Sequence, residues 1–120
     1  MQDSVRRPNI VFIFADQVRA QVLGCYGNKM VPTPNIDAMA SAGTVLDNMV
    51  STYPVCSPYR AMLLSGKYPM ANGTVNNDTG MRDDIETIGT ACKAQGYATG
   101  YIGKWHLADE DLVPEGKWGG

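Results

Sequence analysis

No stretch of this sequence approaches the roughly 20 consecutive apolar residues that cross a bilayer, so no membrane span is expected. The opening MQDSVRRPN carries two arginines with no apolar run before Pro8, and shows no sign of a secretory leader. As written the chain reads as cytoplasmic, with a periplasmic or secreted location left open to a leader already removed. An excess of positive charge is also missing: ten Lys and Arg are scattered against twelve Asp and Glu, for a net charge of -2. Without a basic face nothing tracks a phosphate backbone, and nucleic acid is not an expected partner. The three cysteines, Cys25, Cys56 and Cys92, are odd in number, widely spaced and include no CxxC pair, which argues against a disulfide framework and against a zinc knuckle. Internal repeats, low-complexity runs and charge blocks are absent as well. The remaining composition, 44% hydrophobic and 18% charged over 120 residues, is that of one soluble globular domain.

Within that frame the chain alternates. Asn9 to Ala15 (NIVFIFA) is a continuous apolar run of the kind buried on both faces of a parallel sheet, and it ends at Asp16. Thr33 to Gly43 reads as a helix, with Thr33 as N-cap, Pro34 in the first turn and Gly43 past the end. Thr44 to Val50 reads as a second strand. A helix follows directly after Cys56, with Ser57 as cap, Pro58 in the first turn and Gly66 as terminator. Lys67 to Asp83, rich in Gly, Asn and Asp, reads as a long loop, in which Asn72 and Asn76 are read as solvated turn residues. Asp84 to Gly96 has helical spacing, and Tyr97 to Gly103 makes a third strand. The order predicts an α/β fold, a doubly wound and mostly parallel sheet with flanking helices, whose sites lie beyond the carboxyl ends of the strands. Asp16 and Gln17, Cys56, and Lys104 with His106 all fall near such ends.

The chemistry of these residues is complementary. A helix start favours negative charge, and a cysteine there gains nucleophilicity. Arg60, one turn on, offers a planar fork suited to a tetrahedral oxyanion. Asp16 and Gln17 provide oxygen ligands, which suit Ca²⁺ or Mg²⁺ better than zinc. Lys104 is a point-charge donor, and His106 can exchange a proton near neutral pH. Cys25 and Cys92 read as packing residues, and Trp105 as a wedge for the loop around it.

CSPYRAMLLSG resembles the sulfatase signature C-x-P-x-R with its following helix, and GYATGYIGKWHL resembles the second signature of the same family. NIVFIFADQ, GCYGN, TPNIDAMASAG and SGKYP match the intervening pattern in order, so the resemblance runs from about Pro8 to Leu107. It implies an alkaline-phosphatase-like fold of which residues 1–120 are an amino-terminal part, incomplete in this chain. It implies that Cys56 becomes Cα-formylglycine, made by a formylglycine-generating or anaerobic sulfatase-maturing enzyme that reads Pro58 and Arg60. It implies further that Asp16, Gln17 and the modified residue 56 hold Ca²⁺, with Mg²⁺ as the substitute. One hydroxyl of the hydrated aldehyde would attack sulfur and expel the alcohol. His106 would take the proton of the second as sulfate leaves, and Lys104 would hold the sulfate.

Two residues depart from the family pattern. Tyr59 stands where serine is commonest, and Gln17 replaces the usual second aspartate, leaving one fewer negative charge at the metal. The resemblance therefore implies hydrolysis of a small-molecule or carbohydrate sulfate ester. Gln17 also permits a phosphonate or phosphate ester hydrolase of the same superfamily, and a catalytically silent fragment is the third reading.

Overall fold

The structure, a computed structural model, describes residues 7–107. The chain divides between Asn48 and Met49 into two compact units.

Unit 1 is organised around helix α1 (Pro34–Ala42), with proline in its first turn, Thr33 before it and Gly43 after it, as the sequence predicts. The Thr33 hydroxyl does not cap the helix. It accepts a hydrogen bond from the Gly24 N–H (2.7 Å) and donates to Asp37 Oδ1 (3.0 Å), tying α1 to a 3₁₀ turn over Gly24–Tyr26. Glycine at 24 gives room for the Asp37 carboxylate, which a Cβ there would push aside. A second 3₁₀ turn, Ala20–Val22, precedes it.

Unit 2 is built on helix α2 (Cys56–Ser65), which packs against α3 (Pro69–Asn72) and α4 (Ile88–Ala94). Helix α2 starts at Cys56 itself, and Val55 holds the N-cap position, two residues before the expected Ser57. At its other end Gly66 adopts φ +65° and donates its N–H to Met62 O (2.8 Å), the left-handed termination that glycine makes without strain. Helix α3 interrupts the expected loop, with Pro69 in its first turn and Gly73 ending it. Asn72 is fully buried, not solvated: its amide donates to Lys67 O (2.9 Å) and accepts from the Thr74 N–H (2.9 Å). Helix α4 is shorter than the expected 84–96. Thr87 and Thr90 form a reciprocal capping box, each hydroxyl accepting from the other's N–H, and this cap leaves residues 84–86 outside the helix.

Just before α4, Arg82 grips Asp84 through two bonds, 2.9 Å from Nε and 2.6 Å from the terminal nitrogen. Those bonds hold the Asp84 carboxyl below its ordinary value of 3.8. Because the folded value is the lower one, the stabilisation is present above the unfolded value and is lost as pH falls through the folded value. Both side chains are exposed, so the effect is small. Thermal melts of wild type and Asp84→Asn are expected to differ near pH 6 and to converge as pH falls below the ordinary carboxylate range.

The doubly wound sheet is not formed among the described residues. Residues 9–15, 44–50 and 97–103 belong to neither helix nor strand. A strand is held by ladder bonds to neighbours and by cover on its faces, and the β pattern of these segments supplies neither by itself. Ile10, Val11, Phe12 and Ile13 are correspondingly 58 to 82% exposed. No helix among the described residues is long and apolar enough to cross a membrane.

Candidate active site

The site in unit 2 joins two segments far apart in sequence, the start of α2 and residues 101–107. Cys56 opens α2 as a half-buried free thiol. Arg60, one turn on, is 4% exposed. One of its terminal nitrogens donates to the backbone oxygen of Lys104 (2.6 Å) and to the Tyr101 hydroxyl (3.2 Å). The Tyr101 hydroxyl donates in turn to the same Lys104 oxygen (2.6 Å). A carbonyl has two lone pairs, so one oxygen satisfies both donors. Arg60 thus holds the loop carrying Lys104, a role that its expected function as an anion fork did not include.

The loop is pinned again at its far end. Leu107, 4% exposed, accepts the Met81 N–H on its oxygen (3.0 Å). Trp105 packs edge-on to Tyr101, with ring centroids 4.9 Å apart and planes at 85°, consistent with its expected wedge role. Between the two pins His106 adopts φ +58°. Such a conformation costs a non-glycine residue about 1 to 2 kcal/mol and persists where surrounding contacts over-determine it. The His106 Nδ1 atom is buried without a hydrogen-bond partner among the described residues, an arrangement native proteins seldom leave unexplained. The backbone strain predicts an inverted ranking at this position. His106→Gly should be more stable than His106→Ala by roughly 1 kcal/mol in denaturant melts, whereas at an ordinary helical or extended position alanine is the more stable of the two.

The start of α2 differs from the expected open row of N–H groups. Ser57 N–H donates to Asn77 Oδ1 (3.0 Å), Pro58 has no N–H, and Tyr59 N–H donates to Val55 O (2.9 Å). Helix N–H groups therefore contribute less to an anion at residue 56 than the sequence suggests, and side chains must contribute more.

Asp16 and Gln17 lie in unit 1. Gln17 has φ +60°, and with His106 it is one of two non-glycine residues at positive φ among those described. Both are candidate site residues, and stored backbone strain of this kind concentrates at functional positions. A carboxylate beside a carboxamide is the oxygen chemistry that Ca²⁺ takes, in a shell of about six to eight ligands. Among the described residues no three His, Cys, Asp or Glu side chains gather into a metal site. Asp16 and Gln17 thus fit such a cation in type, and in number only as part of its shell.

Asn77 and Tyr101 were not legible as site residues in the sequence. Asn77 sits in an Asn-rich stretch that reads as a solvated turn, and Tyr101 in a run that reads as strand. Their partners lie 20 and 41 positions away, and no local pattern signals contacts at that distance.

One arginine thus binds the start of α2 to the segment that carries Tyr101 and Lys104. The chain belongs to the Sulfatase family, whose family model matches residues 8–111. It is 45% identical over 106 residues to an ulvan-active sulfatase of Formosa agariphila, covering 88% of this chain and 21% of that protein. It is 39% identical over 112 residues to human steryl-sulfatase, covering 84% of this chain and 19% of that one. A solved structure of a protein in complex with its substrate D-glucosamine-2-N,6-O-disulfate superimposes with a TM-score of 0.82 at 37% identity, over 88% of this chain and 21% of the other. The chain spans about a fifth of the length of the curated relatives it matches.

Proposed function

We propose that this chain carries the nucleophile and sulfate-binding half of a sulfuric ester hydrolase, acting on a small-molecule or carbohydrate sulfate monoester through Cα-formylglycine at position 56. The observation that carries the reading is the Arg60 bond to the Lys104 oxygen, which couples the helix headed by Cys56 to the loop bearing Lys104 and His106. Membership of the Sulfatase family supports the same ester class. Relatives whose names refer to ulvan and to steryl esters share this segment, so it suits the sulfate group common to them more than any one alcohol.

In this reading Cys56 is the precursor, converted by a formylglycine-generating or anaerobic sulfatase-maturing enzyme, and the resulting aldehyde when hydrated supplies the nucleophilic oxygen. Arg60 fixes the loop, and the Lys104 ammonium neutralises sulfate charge at short range. His106 accepts the proton released as sulfate departs, and a ring nitrogen without a partner among the described residues suits a group that must exchange one. Asp16 and Gln17 are the residues that would hold Ca²⁺, or Mg²⁺ in its place. Such a cation when bound polarises a sulfate oxygen and favours the ionised form of a bound hydroxyl.

The test is mass spectrometry of the peptide containing Cys56 after co-expression with a maturing enzyme. Conversion of the thiol to aldehyde is expected as a loss of about 18 Da, and a peptide that keeps its unmodified cysteine overturns the proposal. An aryl sulfate compared with an aryl phosphonate then tests the ester class: sulfate is the expected preference, and a phosphonate preference overturns that part.

A further inference from the structure

The amino end of α2 contributes little to its own capping. Val55, at the N-cap position, has no side chain that can accept a hydrogen bond, and no side-chain cap forms there from within the helix. The Ser57 N–H is met from outside by Asn77 Oδ1 at 3.0 Å. Accepting a backbone N–H fixes which end of the Asn77 amide is oxygen, so this contact also orients the side chain.

The loop that presents Asn77 is held for the purpose. Asn76 Oδ1 accepts from the Asp78 N–H (3.1 Å) and from the Thr79 hydroxyl (2.6 Å), folding residues 76–79 into a tight turn. On the near side the Tyr53 hydroxyl donates to Val75 O (2.9 Å), joining the loop to the segment that leads into α2. Asn72 and Thr74, just before the loop, are fully buried and anchor its base. Asn77 itself is exposed, so packing in a core does not account for its place.

We propose that Asn77 is a positioning residue for the reaction at residue 56. By capping α2 from another segment it fixes the backbone of Ser57, one peptide bond from the nucleophile, and withdraws the Ser57 N–H from any anion formed at 56. Charge developing there then meets the side chains of Arg60 and Lys104, whose geometry the protein controls through the pinned loop. The inference rests on the reading of residue 56 as the nucleophile, but its test does not require turnover.

The unmodified chain has three free thiols, Cys25, Cys56 and Cys92, which report on local and global opening together. Alkylation by iodoacetamide, followed peptide by peptide, gives a rate for each. Asn77→Leu keeps the volume and removes the acceptor. It is expected to speed alkylation of Cys56 about fivefold, the scale on which losing a helix cap shifts a local opening equilibrium, with Cys25 and Cys92 unchanged. The frayed first turn and the freed Ser57 N–H both act in that direction. Asn77→Asp keeps the acceptor and is expected to return Cys56 to the wild-type rate or below, because a carboxylate nearby disfavours the thiolate. An unchanged Cys56 rate in Asn77→Leu, or an equal rise at all three cysteines, overturns the proposal. Failure of the sulfatase reading shows separately, as an unconverted Cys56 after co-expression, and leaves the alkylation result standing.

Discussion

On the proposed function, Cys56→Ala is expected to lower sulfate ester hydrolysis by the matured protein about 10⁴-fold or more, the scale on which enzymes lose rate when a nucleophile is removed. Stability should change little by comparison. Cys56 is half-buried, and truncating a small sulfur side chain removes one atom of apolar contact from the edge of a helix, not from the centre of a core. The alanine suits the first turn of α2, and the cap from Asn77 is made to the Ser57 N–H, which the substitution leaves in place. The contrast that gives the result its meaning lies in the other two thiols. Cys25→Ala and Cys92→Ala are expected to retain rates within about twofold of wild type, since chemistry assigned to one side chain is not shared by residues that only pack. Steady-state rates on an aryl sulfate, with thermal melts alongside, check all three. Activity that survives in Cys56→Ala would remove residue 56 from the mechanism.

The helices were legible because their ends are written in local chemistry. Pro34 with Gly43 marks both ends of α1, and Pro58 with Gly66 marks α2 to within two residues, since proline suits a first turn and glycine follows each last turn, left-handed at Gly66 and extended at Gly43. Local reading erred where two local signals competed. Thr87 and Thr90 outbid the helical spacing of residues 84–86 by capping later, and Thr33 gave its hydroxyl to the Gly24 N–H and the Asp37 carboxylate instead of to a backbone N–H of its own helix. The strands were not realised for a different reason. The apolar run at Ile10 to Ile13 states a preference for the interior of a sheet, but a ladder is a relation between segments and cannot be stated by one of them. For the site, residue types were legible and contacts were not. Cys56, Arg60, Lys104 and His106 could be chosen by their chemistry, while the bond from Arg60 to the Lys104 oxygen depends on the fold bringing together residues 44 positions apart.

That bond carries the second large effect. Arg60→Met keeps most of the buried stem and removes the donors, while the Tyr101 hydroxyl still donates to the Lys104 oxygen. The expected loss is about 2 kcal/mol, the usual cost of a buried hydrogen bond involving a charged group. The rate should fall further than stability does, by about 100-fold in kcat/KM, because a loop displaced by an ångström misplaces both Lys104 and His106. Arg60→Lys is not expected to restore either quantity: an ammonium on a shorter, flexible stem lacks the fixed planar donor directions with which one guanidinium nitrogen meets both the Lys104 oxygen and the Tyr101 hydroxyl. Tyr101→Phe keeps the ring against Trp105 and loses only the hydroxyl, for about 1 kcal/mol. Since Arg60 and Tyr101 share one acceptor and bond each other, the double variant should depart from the sum of the singles by at least about 0.5 kcal/mol in denaturant melts. Additivity within about 0.3 kcal/mol would mean that the two side chains act independently, and that the loop bearing Lys104 and His106 is held by something other than this triangle.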